Sequence, residues 1–279
     1  NLTDHLSKNK KQNKIRQRLL KIRAKKVIVA TGSLERPLIF DNNDRPGIML
    51  SSAVKKYADY YGVICGKKNV FFTNNDTAYE AAISLFKKGI EVIAIIDIRE
   101  KSKTSIVKQA EDLGIKVYWS YTVVDTYGYK KLKQISIMQL SDDDQSIIGS
   151  KINIDCDCLG VAGGWTPAVH LFTQSGGKLK FRDEDQVFIP NKYPSKQVSI
   201  GSCNGDFELD EIIKNSSDSL KKFLEIDKTD YENLSVVTSK ETNKKNIWLL
   251  PTDKVSGKTK SFVDYQNDAT ANDIKLALR

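Results

Sequence analysis

Short β-branched runs alternate with helically spaced apolar stripes through the middle of the chain. Asn69–Thr73 (NVFFT) and Glu91–Asp97 (EVIAIID) have the composition of buried strands. Between them, Thr77–Lys88 sets Ala78, Ala81, Ala82, Leu85 and Phe86 at helical spacing, and Gly89 ends the helix. A second helix is predicted over Ser102–Leu113, closed by Gly114, and a third strand over Ile115–Trp119. Strand-helix-strand-helix-strand with right-handed crossovers implies a parallel sheet with covered faces. Upstream, Lys25–Ala30 (KKVIVA) reads as another buried strand, and Leu20, Ile22 and Ala24 alternate as an edge strand or hairpin arm. Ser51 and Ser52 are placed to cap a helix running to about Tyr60, with Ala53, Val54, Tyr57 and Tyr61 along one stripe.

Downstream the period changes to two. Tyr121–Asp125, Leu132–Leu140 and Ser146–Ile154 read as an antiparallel meander, placed before a strand over Cys156–Ala162. Glu35-Arg36-Pro37 and Gly163-Gly164-Trp165-Thr166-Pro167 read as loops, Val198–Gly201 as a short buried strand and Glu208–Phe223 as a surface helix. Residues 226–259 show no clear period and read as a linker. Thr270–Leu278 is a helix opened by Thr270-x-x-Asp273, an acidic variant of the capping box.

Charge and cysteine narrow the classes. The chain has 279 residues with 44 Lys+Arg against 35 Asp+Glu, a net charge of +9. The lysines come as scattered pairs without a recognised nucleic-acid motif, so no nucleic acid is expected as a partner. No apolar run approaches the roughly 18 residues of a membrane helix, so no membrane partner is expected, and without a secretory signal the location expected is cytoplasmic. The chain opens on Asn1 and ends at Arg279 inside a predicted helix, so a piece of a longer protein is expected. Cys65, Cys156, Cys158 and Cys203 include no C-x-x-C pair. Cys156 and Cys158, two apart on a strand, should share one face as small buried hydrophobes. Neither His5 nor His170 sits near a second ligand or base, so no catalytic or metal residue is expected.

Three strand ends carry small residues: Ala30-Thr31-Gly32, Gly163-Gly164 and Gly201-Ser202. Each alone is an ordinary tight turn. Together, at the carboxyl ends of strands in an α/β sheet, they mark where backbone can approach a cofactor closely. The turn Thr73-Asn74-Asn75-Asp76-Thr77-Ala78 lacks the glycines of a phosphate-binding loop. Asp76 is placed to cap the following helix and to repel phosphate there, so Asp76→Gly should cost only roughly a few tenths of a kcal/mol. Asp97 stands where a ribose-binding acid would stand and, without the glycines, reads as structural.

KKVIVATGSLERP (25–37) and DRPGIMLSSA (44–53) resemble the two-dinucleotide-fold flavoprotein disulfide reductase superfamily. FTNNDTAYE (72–80), GGWTPAVHLFTQ (163–174), GKLKF (177–181) and SFVDYQNDATANDIKLAL (261–278) are similar, more narrowly, to the alpha subunit of heterotetrameric sarcosine oxidase. The resemblance implies an α/β chain: a partial two-dinucleotide-binding-domain fold of disulfide-reductase type, with an antiparallel meander and a small helical C-terminal module. Its first, NAD-binding domain would take 1–62 and 152–225, and a second Rossmann-like domain would be inserted at 63–151. A linker (226–259) and the start of the helical module (260–279) would follow.

In that family NAD sits on the first fold. The resemblance implies that this fold's glycine fingerprint and ribose-holding acid lie upstream of Asn1, so the site here is expected to be incomplete; the implied contacts that remain are Ala30, Thr31, Gly32, Gly201, Ser202, Phe207 and Leu209. Trp165 replaces the arginine of the superfamily's return motif, and no cysteine follows Cys203 to hold an iron–sulfur cluster. The resemblance further implies beta, gamma and delta subunits, FAD and FMN in the complex, and tetrahydrofolate on a further domain of alpha. The implied reaction is oxidative demethylation of sarcosine to glycine, giving 5,10-methylenetetrahydrofolate and hydrogen peroxide. A related amine or hydroxyproline dehydrogenase subunit and a non-enzymatic scaffold with decayed nucleotide sites are the alternatives.

Overall fold

The computed structural model describes residues 19–194, 196–226, 245–253 and 259–279. In chain order the first half comprises β1 (Val27–Val29), β2 (Ser33–Glu35), β3 (Ile48–Leu50), α1 (Ser51–Tyr61), β4 (Lys68–Thr73), α2 (Thr77–Lys87), β5 (Glu91–Asp97), α3 (Ser105–Asp112), β6 (Val117–Trp119) and β7 (Tyr121–Tyr127). The second half comprises β8 (Gln134–Leu140), β9 (Ile147–Asp155), β10 (Cys158–Ala162), β11 (Trp165–Pro167), α4 (His170–Gln174), β12 (Lys178–Arg182), β13 (Val187–Lys192), β14 (Gln197–Ser199), α5 (Leu209–Leu224), β15 (Phe262–Asp264), β16 (Ala269–Thr270) and α6 (Ala271–Ala277).

A five-stranded parallel sheet in the order β3-β10-β4-β5-β6 forms the centre. Its strands alternate sides. Val70 and Phe72 of β4 join Ile96, Ile135 and Ile137 in a core shared with the antiparallel meander β7-β8-β9. Phe71 points the other way, into a core with Ala78, Ala82 and Leu85 of α2 and Val107 of α3. Two opposed apolar faces on one strand explain why NVFFT is apolar without alternation. The sheet reaches beyond 63–151 on both sides, because β3 and β10 are hydrogen-bonded members of it.

Several local expectations are corrected. The backbone turns at Asp157 between β9 and β10, so Cys156 enters the meander-side core and Cys158 the helix-side core. Ser51 and Ser52 do not cap α1 through their own side chains. The Glu35 carboxylate, from another segment, accepts Ser51 Oγ at 2.6 Å and Ser52 N–H at 3.0 Å. On α1, Val54 is buried, but Tyr57 and Tyr61 are 43% and 58% exposed. Residues 20–24 pair with no strand. Two predicted loops pair as the antiparallel strands β2 and β11, and β12–β13 is a hairpin the periodicity did not mark. At α6 the predicted box is present, with Thr270 and Asp273 bonded reciprocally.

Part of the predicted linker is packed. Residues 245–252 cross the molecule as a strap in which Leu249 bridges Ile39 and Leu250 lies in the meander-side core. The strap is tied by a Lys245–Asp144 ion pair at 2.7 Å, with Lys151–Asp253 at 2.6 Å just beyond its end.

Candidate functional site

The implied nucleotide residues fall at two places. β1 and β14 pair in parallel, with Val29 opposite Ser199. Their carboxyl ends therefore lie side by side. Ile200 N–H donates to Val29 O at 3.0 Å, locking the two exits together. Gly32 and Gly201 both have left-handed backbone, φ +74° and +72°, a conformation that favours glycine. A Cβ on Gly32 would meet only Ser202 Oγ, 4.0 Å away, and one on Gly201 only Ile212 Cγ2, at 3.9 Å. Thr31 Oγ1 donates to Ala168 O (2.6 Å) and Ala168 N–H to Gly32 O (2.9 Å), which ties this turn to the end of β11. Ala30, Thr31, Gly32, Gly201 and Ser202 thus form one open backbone cradle.

Phe207 and Leu209 line a different space. It is a cleft of about 560 Å3 at the carboxyl edge of the five-stranded sheet, shared with Arg36, Asn74, Trp165 and Trp248. The first turn of α2 opens onto it. Here the expected cap is corrected. Asp76 has helical backbone and makes no cap hydrogen bond. Asn75 Oδ1 instead accepts Thr77 N–H at 2.8 Å. Asp76 accepts Arg99 Nη2 at 2.8 Å and Thr104 Oγ1 at 2.7 Å.

Asp97 at the end of β5 is fully buried and accepts from Arg99 Nε, Nη2 and N–H and from Tyr79 OH. Burial and the adjacent carboxylate drive the Tyr79 phenol far above its ordinary value. Asp97 faces wholly inward, and Asp76, which lines the cleft, is engaged by Arg99 and Thr104, so neither acid presents a free carboxylate to a ribose.

Sequence reasoning missed the strap. Asn74 Nδ2 donates to Lys245 O (3.0 Å) and Ile247 O (3.4 Å), Trp248 Nε1 donates to Gly163 O (2.6 Å), and the Arg36 guanidinium lies 4.2 Å from the Trp248 ring centre. The available signal was Ile247-Trp248-Leu249-Leu250, an apolar run inside a polar stretch.

The four cysteines are free thiols. Burial pushes Cys156 and Cys158 up to about 12, far from thiolate reactivity. His170 is exposed, and His5 lies outside the described residues. Among the described residues no three His, Cys, Asp or Glu side chains gather as a metal site, and no helix is long and apolar enough to cross a membrane.

No family model matches the chain. Sarcosine oxidase subunit alpha of Corynebacterium sp. (strain P-1) is 33% identical over 273 residues, covering 94% of this chain and 27% of that relative. The same subunit of Rhizobium meliloti (strain 1021) is 28% identical over 280 residues, covering 94% and 25%. The chain is homologous to the N-terminal region of sarcosine oxidase alpha subunits.

It spans about a quarter of the length of these curated relatives. Among solved structures, the thioredoxin reductase of T. acidophilum superposes with TM-score 0.53 at 18% identity, covering 72% of this chain and 64% of that one. The flavoprotein disulfide reductase RclA from Escherichia coli superposes with TM-score 0.52 at 14% identity, covering 74% and 45%. The fold is therefore the α/β, disulfide-reductase-like one expected from the sequence.

Proposed function

We propose that this chain is the nucleotide-holding portion of a sarcosine oxidase alpha subunit and that NAD rests on the Gly32–Gly201 cradle. The observation that carries the reading is the side-by-side exit of β1 and β14, with both glycines left-handed and so open that a Cβ on Gly32 would meet only Ser202 Oγ, 4.0 Å away. Backbone free of Cβ atoms lets a pyrophosphate approach closely. The residues present fit the group on that ground. Phe207 and Leu209 line the separate cleft beside Trp165 and Trp248 and are not part of this cradle. NAD would serve here as a bound dinucleotide, and this chain's own part is to hold it and to support the neighbouring subunits.

The surrounding complex of alpha with beta, gamma and delta subunits would use FAD, FMN and tetrahydrofolate. It would convert sarcosine, tetrahydrofolate and oxygen to glycine, 5,10-methylenetetrahydrofolate and hydrogen peroxide. The homology to flavoprotein oxidoreductases supports this reading.

The test is nucleotide content. The full-length alpha chain, purified with its co-expressed subunits, is denatured and the released NAD, FAD and FMN are quantified. Stoichiometric NAD is expected, and Gly32→Val should lose NAD while keeping the flavins. Full NAD retention by Gly32→Val would remove the cradle from the reading, and no nucleotide at all would favour a scaffold.

A further inference from the structure

We propose that the strap, residues 245–252, crosses the cofactor crevice of the five-stranded sheet and walls off the cleft of about 560 Å3 that remains there, so that this second fold takes no dinucleotide. In open α/β sheets the ligand lies beyond the carboxyl ends of the strands, where the strand order reverses. In this sheet the chain proceeds from β4 outward to β5 and β6, while β10 lies on the opposite side of β4. The crevice is therefore between the ends of β4 and β10.

Those two strands stay in register to their last residues, Thr73 opposite Ala162. The next residue on each, Asn74 and Gly163, bonds the strap. The Asn74 amide donates to Lys245 O and Ile247 O, and Gly163 O accepts Trp248 Nε1. In a nucleotide site these positions face the pyrophosphate with backbone N–H groups. Here an asparagine side chain takes that place, and its partners are strap carbonyls, which are acceptors as phosphate oxygens are.

The strap is held from the far side as well. Ile39 N–H donates to Trp248 O at 2.7 Å and Leu250 N–H to Ile39 O at 3.0 Å. The Arg36 guanidinium stacks on Trp248, 4.2 Å from the ring centre, a cation–π contact that orients the indole. With Leu250 buried in the core, the strap is anchored as packed structure and is no loose lid. Asp76 adds to this: its carboxylate, fastened to Arg99 and Thr104, stands at the start of α2 where a phosphate would need to lie.

The reading concerns the second sheet only and does not rest on NAD binding at Gly32–Gly201. The experiment is hydrogen exchange by mass spectrometry on the full-length chain in its natural complex, with and without millimolar NADH, NADPH or AMP. The expected result is slow exchange at 245–252 and 74–77 that none of the three nucleotides alters. Asn74→Ala and, separately, Trp248→Phe should speed exchange in the strap about tenfold while β5 is unchanged. Nucleotide-dependent slowing or displacement at 245–252 or 74–77 would overturn the proposal. So would unchanged strap exchange in both variants. Protection at 30–32 and 200–202, or its absence, reports on the proposed NAD cradle alone, so the two readings fail separately.

Discussion

Arg99 Nη2 lies 2.8 Å from Asp97 Oδ2, and both side chains are withdrawn completely from solvent. A guanidinium keeps its charge at any ordinary pH, so its burial is tolerable only because carboxylates meet it. Asp97 supplies one at the end of β5 and Asp76 supplies the second from the start of α2. The pair therefore staples the β4–α2 turn to the neighbouring strand. Removing one partner of such a buried pair costs about 3–5 kcal/mol. Asp97→Asn should lose stability on that scale in urea titration. Asp76→Asn, at a site 17% exposed, should lose about 1–3 kcal/mol. That exceeds the few tenths expected of a helix cap. A loss for Asp76→Asn within error of zero would show that Asp97 alone carries Arg99.

This pair shows where sequence reading stops. Strands β4, β5, β6 and β10 and helices α2 and α3 were legible because β-branched runs, helical alanines and the left-handed glycines 89 and 114 are local signals, whereas β3, three residues at the sheet's edge, was not predicted. Asp97 and Arg99 are also close in sequence. Their partner Asp76 is 23 residues from Arg99, and nothing local tells a capping aspartate from an ion-pairing one. The cradle was half legible: Gly32 and Gly201 stand out as glycines ending strands, but the parallel pairing that unites them spans some 170 residues. The strap announced itself only as the apolar run 247–250, and where it docks was not legible, for a related reason. Its main-chain bridge to Ile39 and its bonds to Asn74 and Gly163 are long-range, and two carry no periodic apolar signature. Short strands such as β2 and β11, three residues each, have too few positions to display a period of two.

Glu35 predicts a pH dependence. Burial raises its carboxyl above the ordinary 4.5, against the hydrogen bonds from Ser51 and Ser52. The folded state therefore binds the proton more tightly than the unfolded chain. Its contribution to stability is complete below pH 4.5 and declines as pH rises through the raised folded value. Glu35→Gln removes that titration while leaving one oxygen to accept a bond. The melting temperature of the variant relative to the parent should rise with pH across that window and then level off. A difference independent of pH would mean that the charge on Glu35 is not disfavoured in the fold.

The cysteines predict selective chemical silence. Cys156 and Cys158 are buried in separate cores and pushed up to about 12, so few thiolates form at pH 8. Cys65 is half-buried, with its thiol also raised by burial. Maleimide labelling of the native protein, read by peptide mass spectrometry, should modify Cys65 first and slowly, with Cys156 and Cys158 modified only after urea is added. Rapid native labelling of Cys156 or Cys158 would contradict the packing assigned to β10 and to the turn at Asp157.

Gly160, in the middle of β10, tests how tightly the central sheet carries α1 and α2. A Cβ there would lie 2.6 Å from Phe71 Cδ1 and 3.5 Å from Ser51 Cα. Phe71 is fully buried and cannot withdraw into solvent. Gly160→Ala should therefore cost about 1–3 kcal/mol through overpacking, although alanine is otherwise the better strand residue. Phe71→Leu removes ring atoms from the same space, leaving a gap that the new methyl can enter. In that background Gly160→Ala should be markedly less costly, because contacting residues do not behave additively. The four proteins compared by urea denaturation give the coupling directly. Equal costs in both backgrounds would place the strain on the Ser51 backbone rather than on the Phe71 ring.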